Sequence, residues 1–295
     1  MTRWGERRRR EAWIGWALVA PSLALFGLVY LYPVAYSAYV SLLEWDLMGP
    51  ARWVGLANYR ELWSAEFREV ITNTAQYSIG VVVLSQALGL ALAVLLNNRT
   101  RLGALFQASI FSSYVVSWVA VSLLWIWLLD PQYGLVAYLL SLVGLPSVNW
   151  LGDHRIALWS LVLVTVWKSV GYPMVIYLAG LQAIPGDVYE AAALDGADGW
   201  RRFRHITWPL LTPTTLFLMV TLTIASFQGF DIVKIMTQGG PVTATMIYVY
   251  YIYEQAFQYF KLGKASAAVV VFFTLILALT AAQWWLFRRR VHYAA

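Results

Sequence analysis

The sequence predicts an all-α, polytopic membrane protein with six transmembrane helices. Composition gives the first reason: 60% of the 295 residues are hydrophobic and only 12% are charged, against roughly 25% charged in a soluble globular domain. That leaves too little polar surface to coat a water-soluble particle. The second reason is the grouping of the apolar residues into runs near 12–35, 71–96, 104–129, 156–184, 209–234 and 265–287. Each is long enough for a crossing of about 20 helical residues. Third, the runs are rich in Leu, Ala and Val and lack the alternation over about 10 residues that a barrel strand shows. Pro33, Pro173 and Pro213 lie in or near spans, where neighbouring helices satisfy the carbonyls that proline frees.

Basic residues orient the spans. Arg3, Arg7 to Arg10, Arg99, Arg101, Arg201, Arg202, Arg204 and Arg288 to Arg290 place 13 of the 21 Lys and Arg residues on one side. Arg52, Arg60, Arg68, Arg155, Lys234, Lys261 and Lys264 place seven on the other, and Lys168 falls inside the fourth span. The positive side is cytoplasmic, so both termini are expected inside. The Arg7–Arg10 run before an apolar stretch also describes a cleaved signal peptide. That stretch is longer than an h-region, however, and no small-x-small cleavage site precedes Pro33. The run reads better as an orientation anchor on anionic lipid. Trp13, Trp16, Trp125, Trp127, Trp150, Trp284 and Trp285 sit at span ends, as interface anchors do.

Several chemistries are excluded. There is no cysteine, so neither a disulfide nor a thiolate metal site is available. His154, His205 and His292 lie in separate loops or the tail, with no metal-ligand or nucleophile spacing. No catalytic residue, metal or bound cofactor is expected, and no nucleic-acid partner. The nearest approach to a phosphate-binding loop, Leu262–Ser266, has Gln258 where the first Gly belongs and Ala265 where Ser or Thr should follow Lys264.

The most informative stretch is IPGDVYEAAALDGADGWRRFRHITWPLLTP, Ile184 to Pro213. Pro185 ends span four. Asp187 is placed to cap a new helix, with Glu190 completing a capping box. Gly196 suits the left-handed position after the helix. Asp198 starts a second short helix through Trp200, Phe203 and His205, and Pro209 opens span five. The product is a short cytoplasmic helix with a surface of Ala191, Ala192 and Ala193, shaped to dock into a partner's groove. On chemistry alone, a loop lying on lipid headgroups is an equal reading.

The run EAAALDGA, Glu190 to Ala197, with Phe203, Ile206, Pro209 and Pro213 behind it, resembles the EAA loop of ABC-importer permeases. The resemblance implies a type I ABC importer permease fold and a coupling helix seated in a cleft of the ATPase subunit. It makes Glu190, Ala191, Ala192, Asp195, Gly196 and Ala197 the coupling positions. A second stretch, Phe230 to Phe257 with Thr237, Gly239, Gly240, Pro241 and Thr245, resembles the external loop of maltose-type and glycerol-3-phosphate-type permeases, in the first (MalF/UgpA-like) of their two paired subunits. There Gly-Gly-Pro makes a tight turn facing outside. Pro33, Ser37, Ser41, Trp45, WVGLANYREL from Trp53 to Leu62, Phe67 and Asn73-Thr74 resemble the same subunit. One departure is that the best-known maltose subunit has two further N-terminal spans and a large external insertion.

The resemblance therefore implies a carbohydrate-uptake permease of the bacterial cytoplasmic membrane without its own ATPase site. Its implied partners are a second, different permease, two copies of an ABC ATPase that use ATP and Mg, an extracytoplasmic solute-binding protein and the bilayer. The expected organisation is a basic N-terminus (1–11), a first helix with external segment (12–70), a transmembrane domain (71–288) containing the coupling loop (185–208), and a tail (289–295).

For the solute, Lys168 is the first candidate, because an ionisable group at that depth costs about 3 kcal/mol. Trp167, Tyr172, Gln228 and Asp231 join it, supplying the aromatic faces and hydrogen bonders that sugars need. A cation there would equally suit a phosphorylated solute such as glycerol-3-phosphate or a glycerophosphodiester. The opposing reading is that Lys168 pairs with a carboxylate or backbone carbonyls and only fixes packing. Asn73, Gln76 and Gln86 are weaker candidates, since Asn and Gln commonly glue membrane helices. A self-sufficient secondary transporter would favour inverted repeats; no such halves are evident.

Overall fold

The structure is a computed structural model and describes residues 3–97 and 100–287, with side chains from residue 11 to 286. Arg99 and Arg288 to Arg290, used above for orientation, lie outside the described residues. Chain contacts divide the molecule into two units: the described part of Met1–Trp63 with Ile252–Thr274, and Ser64–Tyr251 with the described part of Leu275–Ala295.

In the first unit, α1 (Arg3–Phe26) passes through a π-helical turn at Gly27–Leu31 into α2 (Tyr32–Val40), with Pro33 in its first turn. Two short antiparallel strands follow, β1 (Leu43–Glu44) and β2 (Arg52–Trp53), then α3 (Ala57–Leu62). The buried Asn58 donates to the carbonyls of Ser41 and Leu43 and fixes the path of this segment. Between the strands, Asp46 accepts from the amides of Gly49 and Met48, and these bonds hold its carboxyl below the ordinary carboxylate range.

The second unit opens with α4 (Ala65–Leu95), capped by Ser64, whose hydroxyl accepts from Phe67 N at 3.1 Å. Then come α5 (Arg101–Val115), α6 (Trp118–Leu128), α7 (Leu135–Leu142), α8 (Ala157–Ser169), α9 (Gly171–Gln182), α10 (Gly186–Leu194) and α11 (Gly199–Arg202). A π-helical stretch, Phe203–Thr207, leads into α12 (Trp208–Leu210), and α13 (Thr212–Phe227) and α14 (Phe230–Met236) follow. Next come α15 (Tyr248–Tyr253) and α16 (Leu262–Phe287), in which Ile252–Thr274 belong to the first unit.

Three helical stretches are long and apolar enough to cross a membrane unbroken: Glu11–Val40, Ala65–Leu95 and Leu262–Leu286. The other three expected spans are helix pairs bent by 100° (α5/α6), 47° (α8/α9) and 62° (Gly199–Leu210 to α13). Span three is thus not one rod over 104–129, because Val116 and Ser117 are extended. In the fifth, the helical turn at Pro209 (α12) is separated from α13 by a break at Leu211, and α13 ends at Phe227, with Gly229 separating α14. The α8/α9 bend falls just before Pro173, which lacks the amide for the bond back to Ser169.

The core of this unit is where α4 meets α9 and α13. Val82, Ala93, Met174, Tyr177, Leu178, Leu181, Leu211, Leu218 and Leu222 pack together there. The close approach of α4 and α9 depends on Gly89, where a Cβ would stand 2.9 Å from the Pro173 ring. Polar side chains tie the helices: Tyr177 Oη reaches Gln86 Oε1 and Thr215 Oγ1, each at 3.3 Å, and Asn73 donates to the Thr243 carbonyl at 2.8 Å. Asn73 and Gln86 are therefore packing residues, whereas Gln76 is exposed.

Candidate functional site

Two features of the second unit are the candidates for a functional site. One is α10. Its nine residues follow Pro185, whose fixed φ sets the start, and they end at Asp195 and Gly196. Gly196 has φ +74°, and the bonds Gly196 N to Ala193 O and Ala197 N to Ala192 O close the left-handed stop that glycine favours. The capping box is not formed: Asp187 lies inside the first turn, and no side chain caps the start. Asp198 does cap α11, accepting from Arg201 N at 2.7 Å. Glu190, Ala191, Asp195 and Gly196 are exposed, and Leu194 is 90% exposed. Ala197 is half-buried. Ala192 is buried at 7%, so the small-residue surface consists of Ala191 and Ala193 only.

The other feature is a cavity of about 490 Å³ among α4, α5, α6, α8, α9, α13 and α14. Of the pathway candidates, Tyr172, Gln228 and Asp231 line it. Tyr77, Tyr114, Trp118, Thr165, Ser169, Thr221 and Ser226 also line it and were missed. The Ser and Thr residues are separated in sequence by apolar runs and carry no signal there. Tyr114 stacks on Tyr172 at 5.4 Å and 19°. Tyr77 and Thr165 share a hydrogen bond of 2.8 Å.

Trp167 and Lys168 do not line this cavity. Trp167 packs edge-on to Trp125, with centroids 5.4 Å apart. Lys168 is 3% exposed and donates to the carbonyls of Tyr114 at 2.9 Å and Ser113 at 3.4 Å. These carbonyls belong to the last turn of α5, which has no following helix turn to satisfy them because the chain breaks at Val116. The ammonium sits 4.6 Å from the Trp118 ring centroid. Ser113 Oγ returns a bond to the Lys168 carbonyl at 3.1 Å. Lys168 thus binds backbone carbonyls and braces the bend.

The Gly239-Gly240-Pro241 segment forms a tight turn. Thr245 closes it, donating its hydroxyl to Gly240 O at 2.6 Å and its amide to Gly239 O at 3.2 Å, and Thr237 Oγ1 lies 2.7 Å from Thr245 Oγ1. A larger hollow of about 690 Å³ lies in the first unit, lined by carboxylates (Glu44, Asp46, Glu61) and cations (Arg52, Lys261, Lys264). It is formed by the segment after the first span together with Lys261 and the start of α16, whereas the smaller cavity holds Tyr172, Gln228 and Asp231 and is the pathway candidate.

Residues 85–292 match the family model described as the binding-protein-dependent transport system inner membrane component. A probable ABC transporter permease of Pyrococcus horikoshii is 33% identical over 90% of this chain and 92% of its own length. The sn-glycerol-3-phosphate transport system permease protein UgpA of Agrobacterium fabrum is 34% identical over 94% and 95%. Among solved structures, a chain of a bacterial ABC transporter involved in the import of the acidic polysaccharide alginate superposes with a TM-score of 0.83, at 24% identity, covering 97% of this chain and 98% of that one. These likenesses define a membrane component of an ABC importer. The chain belongs to the binding-protein-dependent transport system inner membrane component family, a family of transport permeases and not of catalysts.

Proposed function

We propose that this chain is the permease subunit through which an ABC importer carries a sugar or sugar-like solute, with α10 as its coupling element. The observation that carries the reading is α10 itself: a capless helix of nine residues, halted by Gly196, that presents Glu190 and a 90% exposed Leu194. An apolar tip held in water is suited to a groove on another protein. Two copies of an ATPase using ATP and Mg supply the drive, one seated on Glu190, Ala191, Asp195, Gly196 and Ala197. A second, different permease completes the pathway, and a solute-binding protein delivers cargo outside, near Gly239, Gly240 and Pro241. The chain lies in the bacterial cytoplasmic membrane with both termini inside, consistent with the sidedness of its basic residues. With nucleotide absent the paired permeases face inward; closure of the ATPase dimer draws the coupling helices together and opens the cavity outward, and hydrolysis resets it.

Glu190→Lys and Gly196→Asp are the test. Both variants are expected at normal levels in the membrane with uptake lost. Wild-type uptake by either would remove α10 as the coupling element. A second reading, import of glycerol-3-phosphate or a glycerophosphodiester by the same machine, is favoured by the 34% identity to the A. fabrum protein named for that transport.

A further inference from the structure

The charge on the cavity wall separates these two solute classes. Resting on the importer reading, we infer that this chain's part of the pathway accepts a neutral, hydroxyl-rich ring solute and repels anions, with Asp231 setting the sign.

Three properties of the wall lead there. Its hydrogen bonders are mostly hydroxyls, Thr165, Ser169, Thr221 and Ser226, with the Gln228 amide beside them. Ser169, Thr221 and Ser226 give their protons to the carbonyls of Thr165, Phe217 and Thr223, and Thr165 pairs with Tyr77, so these oxygens offer lone pairs that accept from solute hydroxyls, while the Gln228 amide both donates and accepts. The wall also carries the stacked Tyr114–Tyr172 pair, with Trp118 next to it, a flat apolar face for the C–H side of a ring. Among the described residues that line the cavity, Asp231 is the one with a formal charge. Its side chain is exposed, with no hydrogen bond or ion pair to another described residue.

The cations that would receive a phosphate are committed elsewhere. The Lys168 ammonium is held by the α5 carbonyls beneath Trp118. Lys234, one turn beyond Asp231, places its ammonium 5.7 Å from the Tyr250 ring centroid and does not line the cavity. A phosphate or carboxylate entering this cavity meets a carboxylate and no lining cation. Like charges a few ångströms apart in a protein environment weaken binding by more than about tenfold. Relatives named for sn-glycerol-3-phosphate transport handle an anion; the wall described here has the opposite preference.

The test uses the assembled importer, with its paired permease and ATPase but without the binding protein, in nanodiscs. Binding of maltotriose (a neutral probe) and of glycerol 3-phosphate (an anionic one) is measured by saturation-transfer NMR. Wild type is expected to bind maltotriose at least about tenfold more tightly than glycerol 3-phosphate. Tyr114→Ala should weaken maltotriose by about three- to tenfold through loss of the stacked face. Asp231→Lys should raise glycerol 3-phosphate affinity by at least about tenfold. Equal or tighter wild-type binding of glycerol 3-phosphate overturns the inference, as does binding of neither probe or an Asp231→Lys variant with unchanged preference. None of those results touches the coupling assignment, which Glu190→Lys tests through uptake.

Discussion

Helix α10 is held by neighbours in the chain, whereas the cavity is held by residues far apart in it. The bonds that end α10 run between residues three to five positions apart, from Gly196 to Ala193 and from Ala197 to Ala192. Those around the cavity join Lys168 to Tyr114 across 54 positions and Tyr77 to Thr165 across 88. A locally built element can be altered without disturbing the spans. A wall assembled from seven helices is altered less freely, because lining residues such as Tyr77, Tyr114, Thr165 and Tyr172 also hold one another across helices.

Substitutions should therefore separate the two regions by stability, and the largest effect belongs at a contact between spans. Gly171→Val places a Cβ 2.7 Å from Phe111 Cα and 2.9 Å from the Ile110 carbonyl. These are backbone atoms that cannot rotate away, so α5 and α9 must part at a cost of about 3 kcal/mol. A sharp fall in the unfolding temperature of the detergent-purified chain is expected; an unchanged value would remove the close approach. Lys168→Met leaves two α5 carbonyls without their charged donor, at a cost of about 2 kcal/mol. Lys168→Arg should recover part of that loss, and failure of both to lower the unfolding temperature would mean the brace is idle.

In the loop the costs should be smaller and confined. Gly196→Ala forces a side chain into φ +74°, costing about 1 kcal/mol. Faster amide exchange over residues 186–197, with the spans unaffected, is the expected readout. Leu194→Ser changes a side chain already in water, so stability should move by less than about 0.5 kcal/mol. If these loop variants unfolded the protein as readily as Gly171→Val, the contrast between the regions would fail.

The same contrast decides what was legible in the sequence. Pro185, Gly196 and Asp198 announced the ends of α10 and α11 because turn and cap chemistry is local. The capping box failed because Pro185 starts the helix two residues early and carries Asp187 into its first turn. Lys168 was recognisable as a charge at membrane depth, but its partners were not, since the break at Val116 that frees the α5 carbonyls has no proline or glycine to mark it. Tyr114 and Trp118 flank that break and were missed with it. Gln228 and Asp231, which line the cavity, stood out because they end an apolar run.

Helix α4 has one further consequence. Its 31 residues measure about 46 Å at 1.5 Å each, while the hydrocarbon layer is about 30 Å thick. Tilting alone would need roughly 50°, beyond the usual range of up to about 40°. Part of the rod must stand clear of the lipid, and its first turns, with Glu66, Arg68 and Glu69, are the end able to do so. The water boundary at that end then falls near Val70, and the bonds of Asn73 and Thr74 to the segment after Pro241 lie just beneath it.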